Sequence, residues 1–465
     1  MREEAASRWA EEEFGSVEIG DRRWGRRLAN MASRAARRPA GRVTETFIDD
    51  AERQGAYGLL GADEVTPEQV GAAMFAASAR RAAREEFVFC AVDGTSLTLT
   101  DRARGKGFGP IGTRKQRAQG IKVMNAMLMS PAGVPLGLSS QRWWIRSATR
   151  RRKHRDRLPP EQKETNHWLK AMQQSRDVMK THAPQSRCWF QLDREGDAWP
   201  ILTTASSDGH WFTVRATRNR RVFRSDGTRS TLQNLLSEQR DRKVYTLEVR
   251  GTAKRKARLA RMVLQACKVE IEFRDKLTGR RFRGTFNAVR ALERGTTPKG
   301  EKPIEWTLLT NREIATKKDL TDVVRGYSMR WRIEELHRTW KSGACRVEET
   351  QLRSPNAVIK WATILIAVAV RIERIKQLSR EEPESPATEE FTPLEIKAAA
   401  LLRFGKEGKA RSRANPSLGE VTLWIAQLGG YTGRTSSGGP PGSITISRGL
   451  KEIKAAVKAL KALEM

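Results

Sequence analysis

An α/β core with helical segments on both flanks is the architecture that this 465-residue sequence predicts. Three observations carry it. Two apolar runs, Phe87-Val-Phe-Cys-Ala-Val-Asp93 and Cys188-Trp-Phe-Gln-Leu-Asp193, each stop on a carboxylate, as buried central strands would. The block from Trp211 to Thr310 carries period-two alternation, with Cys267, Val269, Ile271 and Phe273 set against Lys268, Glu270 and Glu272. Both ends of the chain repeat apolar residues at helical spacing among many Arg and Lys.

The elements follow in order. In residues 1–67, Arg22, Arg23, Arg26, Arg27, Arg34, Arg37 and Arg38 cluster around Leu28, Met31 and Ala35, which predicts a basic amphipathic helix. A solvated basic face and a small helical DNA-binding module explain that cluster equally well. Gly55-Ala-Tyr57 and Thr66-Pro67 mark later turns or helix starts. Beyond the 87–93 strand, 121–129 and 134–144 read as strands joined by a Pro-Ala-Gly turn, and 166–182 reads as a helix. Further strands are expected at 244–249, 282–289 and 305–310, with a turn at Pro298-Lys-Gly300. Helices at 327–341 and 355–378 lead to Glu381-Glu-Pro-Glu-Ser-Pro-Ala-Thr-Glu-Glu390, an acidic, Pro-rich linker. In the helical tail, Leu450, Ile453, Val457, Leu460 and Leu463 form a stripe opposite Lys451, Lys454, Lys458 and Lys461. Such a stripe packs on its own domain or on a second copy of the chain.

Composition narrows the function. Lys and Arg total 87 against 54 Asp and Glu, a net charge of +33, which makes nucleic acid the leading partner. The membrane reading is weak. Residues 1–14 are charged and lack the apolar core of a signal peptide, and the longest apolar run, 361–370, is too short to span a bilayer. A soluble, intracellular protein is expected. The four cysteines show no CxxC spacing and the five histidines no HxxxH or HExxH pattern, which argues against structural zinc. Any metal would be held by oxygen ligands, favouring Mg²⁺ or Mn²⁺.

The stretch Tyr327-Ser-Met-Arg330-Trp-Arg-Ile-Glu334-Glu-Leu-His-Arg-Thr-Trp-Lys341 is the most informative. At about 100° per residue, Tyr327, Arg330, Glu334 and Lys341 fall within roughly 60° of one another. The spacing alone fits a solvated charged face with i,i+4 pairs. It also fits a metal-binding acid facing a phosphate backbone. A buried, unpaired Asp is costly, so two core strands that each deliver one shift the balance to the second reading. Asp93, Asp193 and Glu334 become candidates for one site. Three carboxylates can hold two Mg²⁺ ions about 4 Å apart.

With these residues in hand, the chain resembles the DDE transposases of the insertion-sequence-four family, Tn-five type, over nearly its whole length. Tyr327-x2-Arg330-x3-Glu334-x6-Lys341 matches the family's Y-R-E-K pattern at every spacing. Asp93-Gly-Thr-Ser-Leu97, Asp193-Arg-Glu-Gly-Asp197 and Trp143-Trp144 after Pro135-Leu-Gly support it. So do Gly20-Asp21-Arg-Arg, Gly55-Ala-Tyr57 and Leu428-Gly-Gly-Tyr431. The resemblance implies an RNase H-like catalytic core at 68–378 with a β-rich insertion at about 220–312. It implies an N-terminal helical domain at 1–67 binding transposon ends, with Arg23 and Arg27 among its DNA contacts. It implies a linker and helical dimerisation domain at 379–465.

Asp93, Asp193 and Glu334 would be the catalytic residues and ligands of two Mg²⁺ per site, with Mn²⁺ able to substitute. Tyr327, Arg330 and Arg215 would hold phosphates, Lys341 the DNA backbone, and Trp306 would stack on a flipped base. The implied activity is cut-and-paste transposition through a DNA hairpin, by a homodimer on double-stranded inverted ends and then on target DNA. The implied location is the bacterial cytoplasm, at the nucleoid. A decayed or regulatory DNA-binding relative and a stand-alone nuclease are the alternatives. The chain departs from the family pattern at Asn125, where a His is common, and in the Arg-rich tracts 146–157 and 250–261, expected to track phosphates.

Overall fold

The computed structural model describes residues 5–463 except 104, 148–158, 206–208, 225, 250–255, 275–277, 280, 414 and 434–438. Its strands are β1 Phe87–Thr98, β2 Gly109–Pro110, β3 Gln119–Met129, β4 Pro135–Trp144, β5 Arg187–Leu192 and β6 Trp211–Arg215. They continue as β7 Arg221–Phe223, β8 Arg229–Thr231, β9 Lys243–Val249, β10 Arg258–Arg274, β11 Arg281–Arg294 and β12 Glu305–Thr310. All belong to one mixed sheet in the order β2-β3-β1-β5-β6-β12-β11-β10-β7-β8, with β4 on β3 and β9 on β10. The segment β4-β3-β1 is antiparallel and β1-β5-β6 is parallel. This is an α/β layout with helical regions at both ends, in keeping with the RNase H-like core that the resemblance implies.

β1 and β5 are apolar on both faces because helices cover both. One layer holds Phe89, Ala91 and Trp189 with Ile333, Leu336 and Trp340. The other holds Val88, Cys90, Val92, Phe190 and Leu192 with Trp168, Met172 and Met179 of the helix Asn166–His182. The insertion is less separate than its sequence suggests. β12 pairs directly with β6, so the insertion strands prolong the core sheet, and the block also holds a short helix, Leu232–Ser237.

The N-terminal helices start where their caps dictate. Asp21 accepts the Arg23 N–H at 2.8 Å ahead of the helix Arg22–Arg37, whose Leu28, Met31 and Ala35 are buried while Arg22, Arg23, Arg26 and Arg27 stay exposed. Thr66 and Gln69 form a capping box with Pro67 at the first position of Pro67–Ala82. Gly55-Ala-Tyr57, expected to mark a turn or a helix start, lies inside the helix Asp50–Gly61, capped by Asp49. Arg27 lies against this helix: a β-carbon at Gly55 would stand 3.6 Å from the Arg27 Nε, an ordinary contact.

The helix Pro355–Glu381 is long and apolar enough by composition to cross a membrane, yet 83% of its most apolar window is buried in the protein. Even its flanking Lys360 is buried, with Nζ donating to the Ala62 carbonyl at 2.7 Å. Trp361 Nε1 donates to the Gly41 carbonyl at 2.8 Å, so this helix clamps the N-terminal helices to the core. The expected free linker at 381–390 is instead packed: Ala387 is buried with Phe391, and Pro386 bridges Ser417. Carboxylates on a short Pro-rich turn hide an apolar anchor that composition does not reveal. The C-terminal helices Pro393–Phe404, Leu418–Leu428 and Ser443–Leu463 share a third core, in which Ile453 and Val457 are buried and Leu450 and Leu460 partly so. The apolar stripe therefore packs on its own domain.

Candidate active site

Register brings the two aspartates together. β1 and β5 pair in parallel up to Val92 opposite Leu192, so Asp93 and Asp193 follow at the same end of neighbouring strands, which lie about 4.8 Å apart. Asp193 leaves its strand at that point, and one of its oxygens accepts the Glu195 N–H at 2.8 Å, capping a short turn. Asp93 does not end its strand as expected. β1 runs on to Thr98 because β3 keeps pairing with it, Asp93 standing opposite Asn125.

The Y-R-E-K stretch is two helices, Lys317–Met329 and Trp331–Lys341, with Arg330 at the break, rather than one continuous helix. Gly326 lets the first of these lie close on the sheet: a β-carbon there would come 2.5 Å from the Phe89 ring. The break puts Glu334 in the first turn of the second helix, where the helix dipole favours a carboxylate. Leu336 and Trp340 are fully buried and hold that helix by its opposite face.

Arg330 is the cation between these acids. Its Nη2 bonds Glu334 Oε1 at 2.5 Å, and its Nη1 stands 3.8 Å from Asp93 Oδ2. Burial pushes the Asp93 carboxyl up to about 7; Arg330 pulls against this, while the Asp193 and Glu334 carboxylates reinforce it. Lys341 Nζ lies 3.5 Å from both Thr95 Oγ1 and Glu348 Oε1, and Glu348 also accepts the Thr98 N–H at 2.7 Å. A cavity of about 410 Å³ opens here, lined among others by Asp93, Thr95, Glu334, His337, Lys341 and Glu348.

Among the described residues, no three His, Cys, Asp or Glu side chains stand together as a ready-made ion site. Glu334 is drawn to Arg330 instead. By chemistry the donors are still of the kind a hard divalent cation takes: Asp93 and Glu334, with Asp193 near enough to act on the Asp93 carboxyl, offer oxygen atoms only. The residues fit Mg²⁺ or Mn²⁺.

Around this centre, Tyr327 is buried and its ring meets Trp306 edge to face, with centroids 5.3 Å apart. Trp306 is half-buried on β12. Arg215, on β6 opposite Leu308, donates to the Glu305 carbonyl at 3.2 Å. Arg23 and Arg27 lie on the distant N-terminal helix, Arg23 paired with Asp21 and Arg27 over the Trp24 ring. The Arg-rich tracts divide. Residues 148–157 and 250–255 lie outside the described residues. Arg146 is bound to Glu164, and Arg258 is held by Glu293 at 2.7 Å and Glu301 at 2.5 Å, so these two serve the fold rather than track phosphates.

Sequence reasoning missed three residues at the cavity. Thr95 and Glu348 carry no spacing signal. His337 does carry one, three residues after Glu334 and so on the same helix face.

Residues 6–65 match the transposase DNA-binding family model, and residues 367–463 match that of the transposase Tn5 dimerisation domain. The first covers the Arg-rich helix. The second begins within Pro355–Glu381 and takes in the C-terminal helices.

Proposed function

We propose that this chain, a Tn5-type transposase by its DNA-binding and dimerisation domains, cuts and rejoins DNA at transposon ends with Asp93, Asp193 and Glu334 as its metal-binding acids. The observation that supports the reading is the parallel register of β1 and β5, which brings Asp93 and Asp193 to the same end of neighbouring strands, with Arg330 reaching from Asp93 to Glu334. Two Mg²⁺ ions held by the three carboxylates would activate the attacking water or 3′-hydroxyl and stabilise the leaving oxygen.

The chain's own residues do the rest. Arg330 stands within reach of a phosphate at the site and exchanges its carboxylate partners for phosphate oxygens when DNA enters. Lys341, held among the described residues by long contacts to Thr95 and Glu348, can turn to the DNA backbone. Trp306, braced by Tyr327, offers a ring on which an extruded base stacks, relieving the bend of a hairpin. In this reading water first nicks the transposon end. The freed 3′-hydroxyl then attacks the opposite strand, and the hairpin is reopened before insertion into target DNA. The protein works as a homodimer in the cytoplasm, at the nucleoid, each copy gripping an end through Arg23, Arg27 and their neighbours.

Glu334→Gln tests the assignment. The variant should bind end-bearing DNA like the parent and fail to nick it with Mg²⁺ or Mn²⁺. Nicking at the parental rate would remove Glu334 from the chemistry. An inactive parent that still bound ends would favour the regulatory alternative.

A further inference from the structure

Beneath the acids lies a row of polar side chains that the proposed reaction does not use. Asp93, Asn125 and Gln141 are directly paired across β1, β3 and β4. Residues paired in this way point to the same face, here the face on which the helices Trp331–Lys341 and Pro355–Glu381 pack. Asn125 is fully buried and His337 nearly so. Their nitrogens Nδ2 and Nε2 meet at 3.0 Å. Gln141 Nε2 donates to Asn125 Oδ1 at 3.1 Å, and Thr363 Oγ1 donates to Gln141 Oε1 at 2.7 Å. Around the row the packing is apolar: Val123, Met127, Ile333, Leu336 and Trp340.

Buried amides are costly unless every group is matched, and an apolar layer would pack here without them. What the row adds is direction. An apolar contact lets a helix slide or roll by a fraction of an ångström, whereas a hydrogen bond holds one angle and one depth. His337 lies one turn beyond Glu334, and Asn125 faces Asp93. The hydrogen bond between them thus joins the helix of one acid to the strand beside the other.

We propose that Asn125 and His337 are positioning residues: their buried hydrogen bond, braced by Gln141 and Thr363, sets the spacing of Glu334 against Asp93 for the divalent cation. The inference rests on the reading of the three carboxylates as metal ligands. With Gln141 donating to Asn125 Oδ1, the Asn125 amide nitrogen faces His337, whose Nε2 accepts and whose Nδ1 carries the proton. Partners at this remove from a metal site are commonly worth about ten- to a hundredfold in affinity.

The test uses the full chain, with Mn²⁺ as probe. Mn²⁺ affinity without DNA is read by paramagnetic resonance, and cleavage of end DNA is resolved into kcat and KM. Asn125→Leu, close in volume, should retain end binding, lose about tenfold or more in Mn²⁺ affinity and lower kcat at unchanged KM. His337→Gln, which keeps an acceptor near Nε2, should restore most of what His337→Leu loses. Parental Mn²⁺ affinity and kcat in Asn125→Leu, or equal behaviour of His337→Gln and His337→Leu, would reduce the row to packing. If Asn125→Leu fails to fold, the His337 pair decides alone. Asp93→Asn separates the two claims: should it bind Mn²⁺ and cleave like the parent, the metal-site reading itself falls, whatever the His337 variants do.

Discussion

Asp93 carries an energetic penalty that can be measured without DNA or turnover. Its carboxyl titrates near 7 in the folded, metal-free protein, against an ordinary 3.8, chiefly through burial, with Asp193 and Glu334 adding to it. The folded protein therefore holds this proton more tightly than the unfolded chain does. The group's contribution is fully present below about pH 4 and lost as pH rises through about 7. Each pKa unit is worth about 1.4 kcal/mol, so a shift of about three units amounts to roughly 4 kcal/mol. Water reaching the partly open side chain and local relaxation reduce this to about 2–4 kcal/mol.

Asp93→Asn removes the titration and keeps the shape. In chelator, urea unfolding from pH 4 to 8 should show parent and variant equal at the acid end. The variant should gain steadily to about 2–4 kcal/mol at pH 8. Carboxylates away from the site cancel in the difference, while Asp193 and Glu334, which feel the Asp93 charge, add to it in the same direction. Added Mg²⁺ should raise the stability of the parent at pH 8 and leave the variant unchanged. Parallel curves across the whole range would refute the burial of the Asp93 carboxyl beside Asp193 and Glu334.

Trp306→Ala should slow hairpin formation more than first-strand nicking, as read on denaturing gels of end DNA, since stacking on a base is worth about 1–3 kcal/mol and the nick does not need it. Equal slowing would deny the stacking role. Arg23→Ala with Arg27→Ala should weaken end binding and lower the salt slope of log K by about 2, measured by titration at several ionic strengths. An unchanged slope would take both residues off the phosphates. Trp361→Ala, which empties a fully buried site against Phe47 and leaves the Gly41 carbonyl without its donor, should cost about 3–5 kcal/mol in urea unfolding. A cost below about 1 kcal/mol would mean that the N-terminal helices do not depend on this clamp.

The acids were legible because strand burial and helix period are local signals. Two apolar runs ending on Asp and one helix face were enough to name Asp93, Asp193 and Glu334 before any geometry. What stayed hidden depends on partners distant in sequence. Nothing near Asn125 announces His337, 212 residues away. The break at Arg330 was invisible because no Gly or Pro marks it, and the residue keeps a helical φ and ψ of −50° and −33°. The 381–390 segment misled for the opposite reason, since its composition is that of a solvated linker while its position is fixed by Ala387 and Phe391. Register was the decisive unread quantity: a shift of one residue in β5 would send Asp193 to the other face.

The seam between β6 and β12 has a bearing on how this protein could be re-engineered. Leu308 to Thr310 pair with Arg215 to Thr213, and β6 pairs in turn with β5, the strand that ends at Asp193. Backbone pairing thus ties the strand of Trp306 to the strand that ends at Asp193, while Trp306 itself pairs with Ala291 at the base of the long β10–β11 hairpin. That hairpin makes its last cross-strand pair at Arg274 and Arg281, well along the strand from Ala291, the partner of Trp306. The connection between Arg274 and Arg281 is therefore the place to lengthen the chain or graft a reporter: new sequence there would hang from the far end of the hairpin and leave the pairing of Trp306 with Ala291 at its base untouched.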